Sequence, residues 1–428
     1  MGWLFNLVYL GAILLGLPWL VYQRVRHGKY REGWAAKFFG AVSVRSGDRP
    51  CLWLHAVSVG EVNIALKLAR ALRALEPALH CVLTTTTTTG FALARKSAPP
   101  WIEVMYTPLD YWPIMCRAFS VIRPGRIILV EAEVWPNLAA EAHARRVPLA
   151  LANARLSPRS ERRYRRFRFF VAPTFRLLDL VCVPEQEDAD RWAVLGVPPD
   201  RIHVTGSIKY DPEVQGERQA VAAFLRDALP VRAPDSLILF GGSTHRGEEE
   251  ILASVFLRLR EQFPSLRLFI APRHVERLRE IRAELTSLPL RVALASERVA
   301  DHEFNDTDCL LLDTTGELER WYPIATVVFV GKSLTAHGGQ NPVEPILAGK
   351  PVVFGPHMEN FAALAKSLVA QKGAIQIQFA DSLERAVAAL LRDSEARQRL
   401  VQNAHEVLSA HQGATARAAK LIADFQVR

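Results

Sequence analysis

The stretch GKSLTAHGGQNPVEPILAGKPVVFGPHMENF, residues 331–361, gathers glycines, prolines and one isolated carboxylate between two apolar runs, TVVFVG leading into it and PVVFG within it. Both runs are short, β-branched and bounded by turn residues, which is how buried strands read. Between them NPVEPILAG opens a helix at Asn341, with Pro342 in its first position where a backbone N–H is not needed. Gly338 and Gly339 let the backbone approach a phosphate at the positive end of that helix. Glu344, about one turn in, is placed to accept hydrogen bonds from two ribose hydroxyls. An ordinary strand-loop-helix turn of an α/β core has the same pattern, so the rest of the chain must choose between the two readings.

Working outward, CLWLHAV, HCVLTT, IEVMY, RIILVEA, PLALAN, LVCV and IHVTG alternate with helical stretches such as EVNIALKLARALRAL. A second series follows with SLILFGG, LRLFIAP, CLLLD, TVVFVG, PVVFG and AIQI. Strands alternating with helices form parallel, doubly wound sheets. The 428 residues exceed one ordinary core. Proline and charge break the rhythm between Lys209 and Asp235, which puts a boundary between residues 210 and 232. A closed eight-stranded barrel is the alternative; the break and the strand count favour two Rossmann-like domains, 26–215 and 216–428, with the ligand cleft between them at the carboxyl ends of both sets of strands.

Half of the chain is hydrophobic and 23% is charged, which excludes a disordered protein. The five cysteines lie far apart without a CxxC pair and read as reduced core residues, neither disulfides nor zinc ligands. A net charge of +9 suits an anionic surface or substrate. From Gly2 to Tyr22 there is no charge, and QRVRHGKYR follows at once. That length suits a bilayer, with Trp3, Trp19 and Tyr22 at interfacial depths. The basic residues follow the apolar run and no small-residue cleavage site is evident, so residues 1–25 read as a retained anchor, not a signal peptide, with the body on the cytoplasmic side.

Most of the unusual residues follow a strand and precede a helix, where α/β chemistry is done. In HAVSVGEV, Glu61 falls in the first helical turn, where the dipole favours the ionised form that a general base needs; complementing the dipole is its simpler role. RIILVEAEVWPNL carries Glu131 and Glu133, expected on opposite faces if the strand continues. Arg155, Arg159, Arg162, Arg163, Arg165, Arg166 and Arg168 interleave with Tyr164, Phe167, Phe169 and Phe170, a surface suited to phosphate-bearing lipid head groups; a solvated basic helix is the alternative, and no RNA-binding module is evident. Gly241, Gly242 and Ser243 read as a phosphate-compatible helix start without the Lys-Ser/Thr of a Walker loop. Arg273 offers a forked clamp for phosphate, and Lys209 a cation for a leaving group. No metal site is expected, since Asp188-Ala189-Asp190 and Asp306-Thr307-Asp308 read as caps or solvated faces.

Taken together, the motifs resemble the Kdo transferases of lipopolysaccharide synthesis, membrane-anchored enzymes with a two-domain GT-B fold. The likeness covers the anchor, HAVSVGEV, TTTTTTG, EAEVWPNL, NARLSPRS, GSIKYD, GSTHRGEEE, APRH, TTGELERWY, GGQNPVEP and GPHMENF, in the family's order. Ala132, Ser207 and Gln340 depart from the threonine, asparagine and histidine common there. The resemblance implies inverting transfer of the acidic sugar Kdo from CMP-Kdo to a lipid A precursor, lipid IVA, at the cytoplasmic face of the inner membrane, without metal or cofactor. It implies Glu61 as general base, Glu131 and Lys209 in support, and Pro272, Arg273, Thr315, Gly316, Glu317, Asn341, Pro342, Val343 and Glu344 as the CMP site. The competing readings are a GT-B transferase or epimerase using a UDP-sugar, and a non-enzymatic membrane-bound anion-binding scaffold.

Overall fold

A computed structural model describes residues 50–156, 158–211, 236–297, 307–314 and 317–425, with single positions among the first 26. The chain forms two compact units, Met1–Asp211 with His411–Arg428, and Pro212–Ala410.

The first unit is built on seven parallel strands: β1 (Cys51–Ala56), β2 (Cys81–Thr85), β3 (Ile102–Tyr106), β4 (Pro124–Val130), β5 (Leu149–Ala152), β6 (Leu180–Val183) and β7 (Ile202–Val204). Their order is β3-β2-β1-β4-β5-β6-β7. Every residue of β1 is buried, as expected for a strand covered on both faces. Its alternation feeds two cores: Trp53 packs with Phe119, Ile127 and Trp192, while Leu52 and Leu54 pack with Ile64, Leu68 and Ile128. Chain order reverses between β1 and β4, so a crevice opens at their carboxyl ends.

The second unit repeats the plan with β8 (Leu237–Thr244), β9 (Leu266–Pro272), β10 (Val292–Leu294), β11 (Cys309–Leu311), β12 (Val327–Val330), β13 (Val352–Phe354) and β14 (Ile375–Gln376). The order is β10-β11-β9-β8-β12-β13-β14, all parallel, with the reversal between β8 and β12. Two separate open sheets replace the barrel alternative. β10 was not expected; its three residues are only half buried, too little apolar signal to stand out.

The expected boundary at 215/216 lies outside the described residues. The expectation that the second domain continues to residue 428 is corrected at its end. Helix Ala414–Asp424 belongs to the first unit, where Ala418, Ala419 and Ile422 share a core with Ala65, Leu68 and Leu72. Asp211 starts that helix by accepting the N–H groups of Gly413 and Thr415, both at 2.7 Å. The expected anchor falls mostly outside the described residues, and among those described no helix is long and apolar enough to cross a membrane. Asn6 bonds the body of the first unit: its Nδ2 donates to Asn137 Oδ1 (3.0 Å), and its Oδ1 accepts Trp112 N–H (3.0 Å). Asp188 is a further correction: it is buried and takes a 3.0 Å bond from Arg191, so it is not a solvated face.

Candidate functional site

At the first reversal point, β1 runs into a turn and then helix Val59–Leu75. Ser58 caps that helix, and Glu61, three residues on, reaches back over it. Glu61 Oε2 accepts Val57 N–H at 2.8 Å and Oε1 accepts the Ser58 hydroxyl at 3.0 Å. These bonds fix the carboxylate as a capping box does, so the simple structural role of Glu61 is real. They leave each oxygen a lone pair. Burial raises the Glu61 carboxyl to about 7; the Val57 N–H opposes this, and the charges of Glu131 and Glu133 add to it. A carboxyl poised near neutrality is tuned for proton transfer.

β4 ends at Val130, and Glu131 follows with φ 62, a left-handed conformation that is costly for any residue with a Cβ. This corrects the expectation of opposite faces: residues two apart on a continuing strand share one face, and the strand in any case stops before Glu131. Glu133 turns toward Trp135, whose Nε1 donates to its Oε2 at 3.1 Å. Glu131 is shifted upward by burial, against the pull of Lys209 and Arg155. Lys209 is shifted downward by burial, against the pull of Glu131. Residues 61, 131, 133 and 209, scattered in sequence, thus share one electrostatic neighbourhood. Beside it lies His55, wholly buried, its Nδ1 3.1 Å from Thr84 Oγ1 and its ring edge-on to Trp135. Burial lowers it to about 4, so it is neutral at physiological pH. A histidine inside an apolar strand carries no separate signal in the sequence, so its place beside these carboxylates emerges only from the fold.

At the second reversal point three loops meet, those after β8, β12 and β13. Gly241 and Gly242 do not start a helix; they lie inside β8, and a Cβ on them would sit 2.5 Å from Leu252 Cδ1 and from Tyr322 Oη. Their purpose is close packing, which corrects the phosphate-loop reading. The helix begins later, at Glu248, whose role no local pattern in the sequence signals. Its fully buried carboxylate accepts four backbone N–H groups: His245 and Lys332 at 2.8 Å on Oε2, Ser333 and Leu334 at 3.0 Å on Oε1. The Ser333 hydroxyl in turn accepts Gly355 N–H at 2.8 Å. One carboxylate therefore ties the first loop to the second, and Ser333 ties the second to the third.

Helix Val343–Leu347 starts one residue later than expected, with Pro342 as its cap residue and Asn341 Oδ1 accepting Val343 N–H at 3.0 Å. Asn341 Nδ2 also donates to Glu344 Oε1 at 2.8 Å, which aims both polar groups together. Gly338 and Gly339 take φ 121 and 70, as a turn reserved for glycine requires. Pro272 ends β9, and exposed Arg273 donates its backbone N–H to Thr244 O at 3.0 Å. Glu317 is half buried, while Thr315 and Gly316 lie outside the described residues. The arginine-aromatic stretch forms helices Pro158–Arg166 and Arg168–Phe175, with Phe167, Phe169 and Phe170 exposed.

Residues 31–212 match the family described as 3-Deoxy-D-manno-octulosonic-acid transferase (kdotransferase). The 3-deoxy-D-manno-octulosonic acid transferase of Haemophilus influenzae is 34% identical over 407 residues, covering 94% of each chain. That of Bordetella pertussis is 33% identical and covers 96% of this chain and 97% of its own. Among solved structures, a putative UDP-N-acetylglucosamine 2-epimerase from Listeria monocytogenes is similar in fold, with a TM-score of 0.57 at 12% identity over 88% of this chain and 96% of that one. Identity of this extent, running through both units, means that the chain belongs to the 3-deoxy-D-manno-octulosonic acid (Kdo) transferase family of glycosyltransferases.

Proposed function

We propose that the protein transfers Kdo from CMP-Kdo to a sugar hydroxyl of a lipid A precursor, lipid IVA, at the cytoplasmic face of the inner membrane, with inversion at the anomeric carbon. Glu61 takes the proton of the acceptor hydroxyl as its oxygen bonds to the anomeric carbon and the bond from that carbon to the CMP phosphate breaks. Lys209, whose charge Glu131 favours, stabilises the charge that develops, so the chemistry itself needs no divalent ion. Pro272, Arg273, Thr315, Gly316, Glu317 and the run Asn341, Pro342, Val343 and Glu344 hold CMP, with the Glu344 carboxylate on the ribose. The fold is of the GT-B type, the first unit serving the acceptor and the second the donor. Residues 1–25 anchor the chain, and the exposed Phe167, Phe169 and Phe170 among arginines rest on anionic lipid.

The observation that carries this reading is the Glu61 carboxyl, buried, oriented by two hydrogen bonds and raised to about 7 among Glu131 and Glu133 at a strand-order reversal. The test is product formation by purified full-length protein from CMP-Kdo and lipid IVA, with Glu61→Gln as comparison. Loss of turnover with CMP binding retained is expected. Full turnover in that variant removes Glu61 as base, and thermal stabilisation by UDP but not CMP removes the donor assignment.

A further inference from the structure

Three side chains converge beside the donor loop without a role in the chemistry above. His337 precedes the Gly338–Gly339 turn, and His357 and Glu359 follow β13. Glu359 Oε1 lies 3.2 Å from His337 Nδ1 and 3.4 Å from His357 Nδ1, and one donor atom from each residue lies within 4.8 Å of the others. Tetrahedral bonds of about 2.0–2.1 Å place neighbouring ligand atoms about 3.3–3.4 Å apart, so these two edges already have the spacing an ion requires. We infer that His337, His357 and Glu359 form a binding site for one zinc-class divalent cation.

Backbone contacts hold the three residues in place. His357 N–H donates to Ser333 O at 3.0 Å and Asn360 N–H to Gly338 O at 2.8 Å, clipping the two ligand-bearing segments together. Glu359 Oε2 accepts Gly338 N–H at 2.6 Å, which leaves Oε1 aimed at the imidazoles; a fixed second oxygen is the outer-shell support that metal-binding carboxylates have. Gly338 takes φ 121, which is strained for any residue with a Cβ, and a Cβ there would also press on Asn360 Nδ2 at 2.8 Å. Without an ion, imidazole N–H groups donate to Oε1; with one, the tautomers change and Nδ1 lone pairs face the metal. Two imidazoles with one carboxylate suit zinc, cobalt or nickel, whereas magnesium and calcium prefer oxygen. The His337 and Glu359 side chains are 77% and 55% exposed, which gives the ion an entry path and leaves open coordination positions. Resting on the donor role proposed for residues 341–344, an ion held by His337, four residues before that run in the same loop, attracts an anionic oxygen of the nucleotide.

Zinc chloride titrated into the full-length protein by calorimetry is expected to bind with one equivalent at this site, and cobalt to give the absorption of a four- or five-coordinate ion. His357→Ala and Glu359→Ala are each expected to weaken binding by roughly tenfold or more. His337→Ala, at an exposed position that does not endanger folding, is expected to do the same. No binding by the wild type, or equal binding by all three variants, overturns the site. CMP affinity with and without zinc is a separate arm: tightening in the wild type but not in His337→Ala supports the link to the donor, and no change overturns that link. Failure of CMP to bind at all strikes the donor assignment and leaves the zinc titration standing.

Discussion

Glu248→Gln is the sharpest probe of how the donor loops are held. The native carboxylate presents two acceptor oxygens to four backbone N–H groups at 2.8–3.0 Å in a site with no solvent exposure. Glutamine keeps one oxygen and turns an NH2 group toward the other two donors. In either amide orientation two buried N–H groups lose their acceptor and face another donor. At roughly 1–3 kcal/mol for each unsatisfied group, the loss is roughly 2–6 kcal/mol. The damage centres on the loops after β8 and β12, which carry His245 and lead to Asn341 and Glu344. CMP affinity, measured by calorimetry on the full chain, is therefore expected to fall at least tenfold, alongside a lower midpoint in urea. Glu250→Gln, an exposed neighbour on the same helix, serves as control and should stay within about 0.5 kcal/mol of wild type. If Glu248→Gln matches that control in both measurements, the four hydrogen bonds do not hold the loops and the argument fails.

Other outcomes follow from the first unit. Because folding raises the Glu61 carboxyl from 4.5 to about 7, kcat/KM should rise with pH through about 7 as the base ionises. The same shift has a stability sign: Glu61 contributes fully below about 4.5 and its contribution is lost as pH rises through about 7, so Glu61→Gln should melt higher than wild type at pH 8 but not at pH 4. Lys209→Met should lower kcat by roughly 10²–10³ with little change in CMP affinity; an unchanged kcat would remove the lysine from the transition state. Asp211→Ala strips the start of helix Ala414–Asp424 of the carboxylate that takes two N–H bonds and should cost about 1–2 kcal/mol in denaturant unfolding, a result that equal stability would refute.

Much of this protein is legible along the chain. Apolar runs such as CLWLHA and VVFV announce buried parallel strands, and the loops after them carry Glu61, Glu131 and the Asn341–Glu344 run, because strand periodicity and turn chemistry are properties of neighbouring residues. The family likeness rests on the same local motifs. What the sequence could not reveal was which loops share one strand-order reversal, since that depends on pairing β1 with β4 and β8 with β12. Nor could it distinguish Glu248, which bonds residues more than 80 positions away, from exposed Glu250 two residues on. The return of the last helix to the first unit, the packing role of Gly241 and Gly242 and the convergence of His337 on Glu359 are of the same kind. Each is a contact between distant segments, decided when the sheets assemble and bury both partners; no local pattern encodes where a side chain's partner will be found.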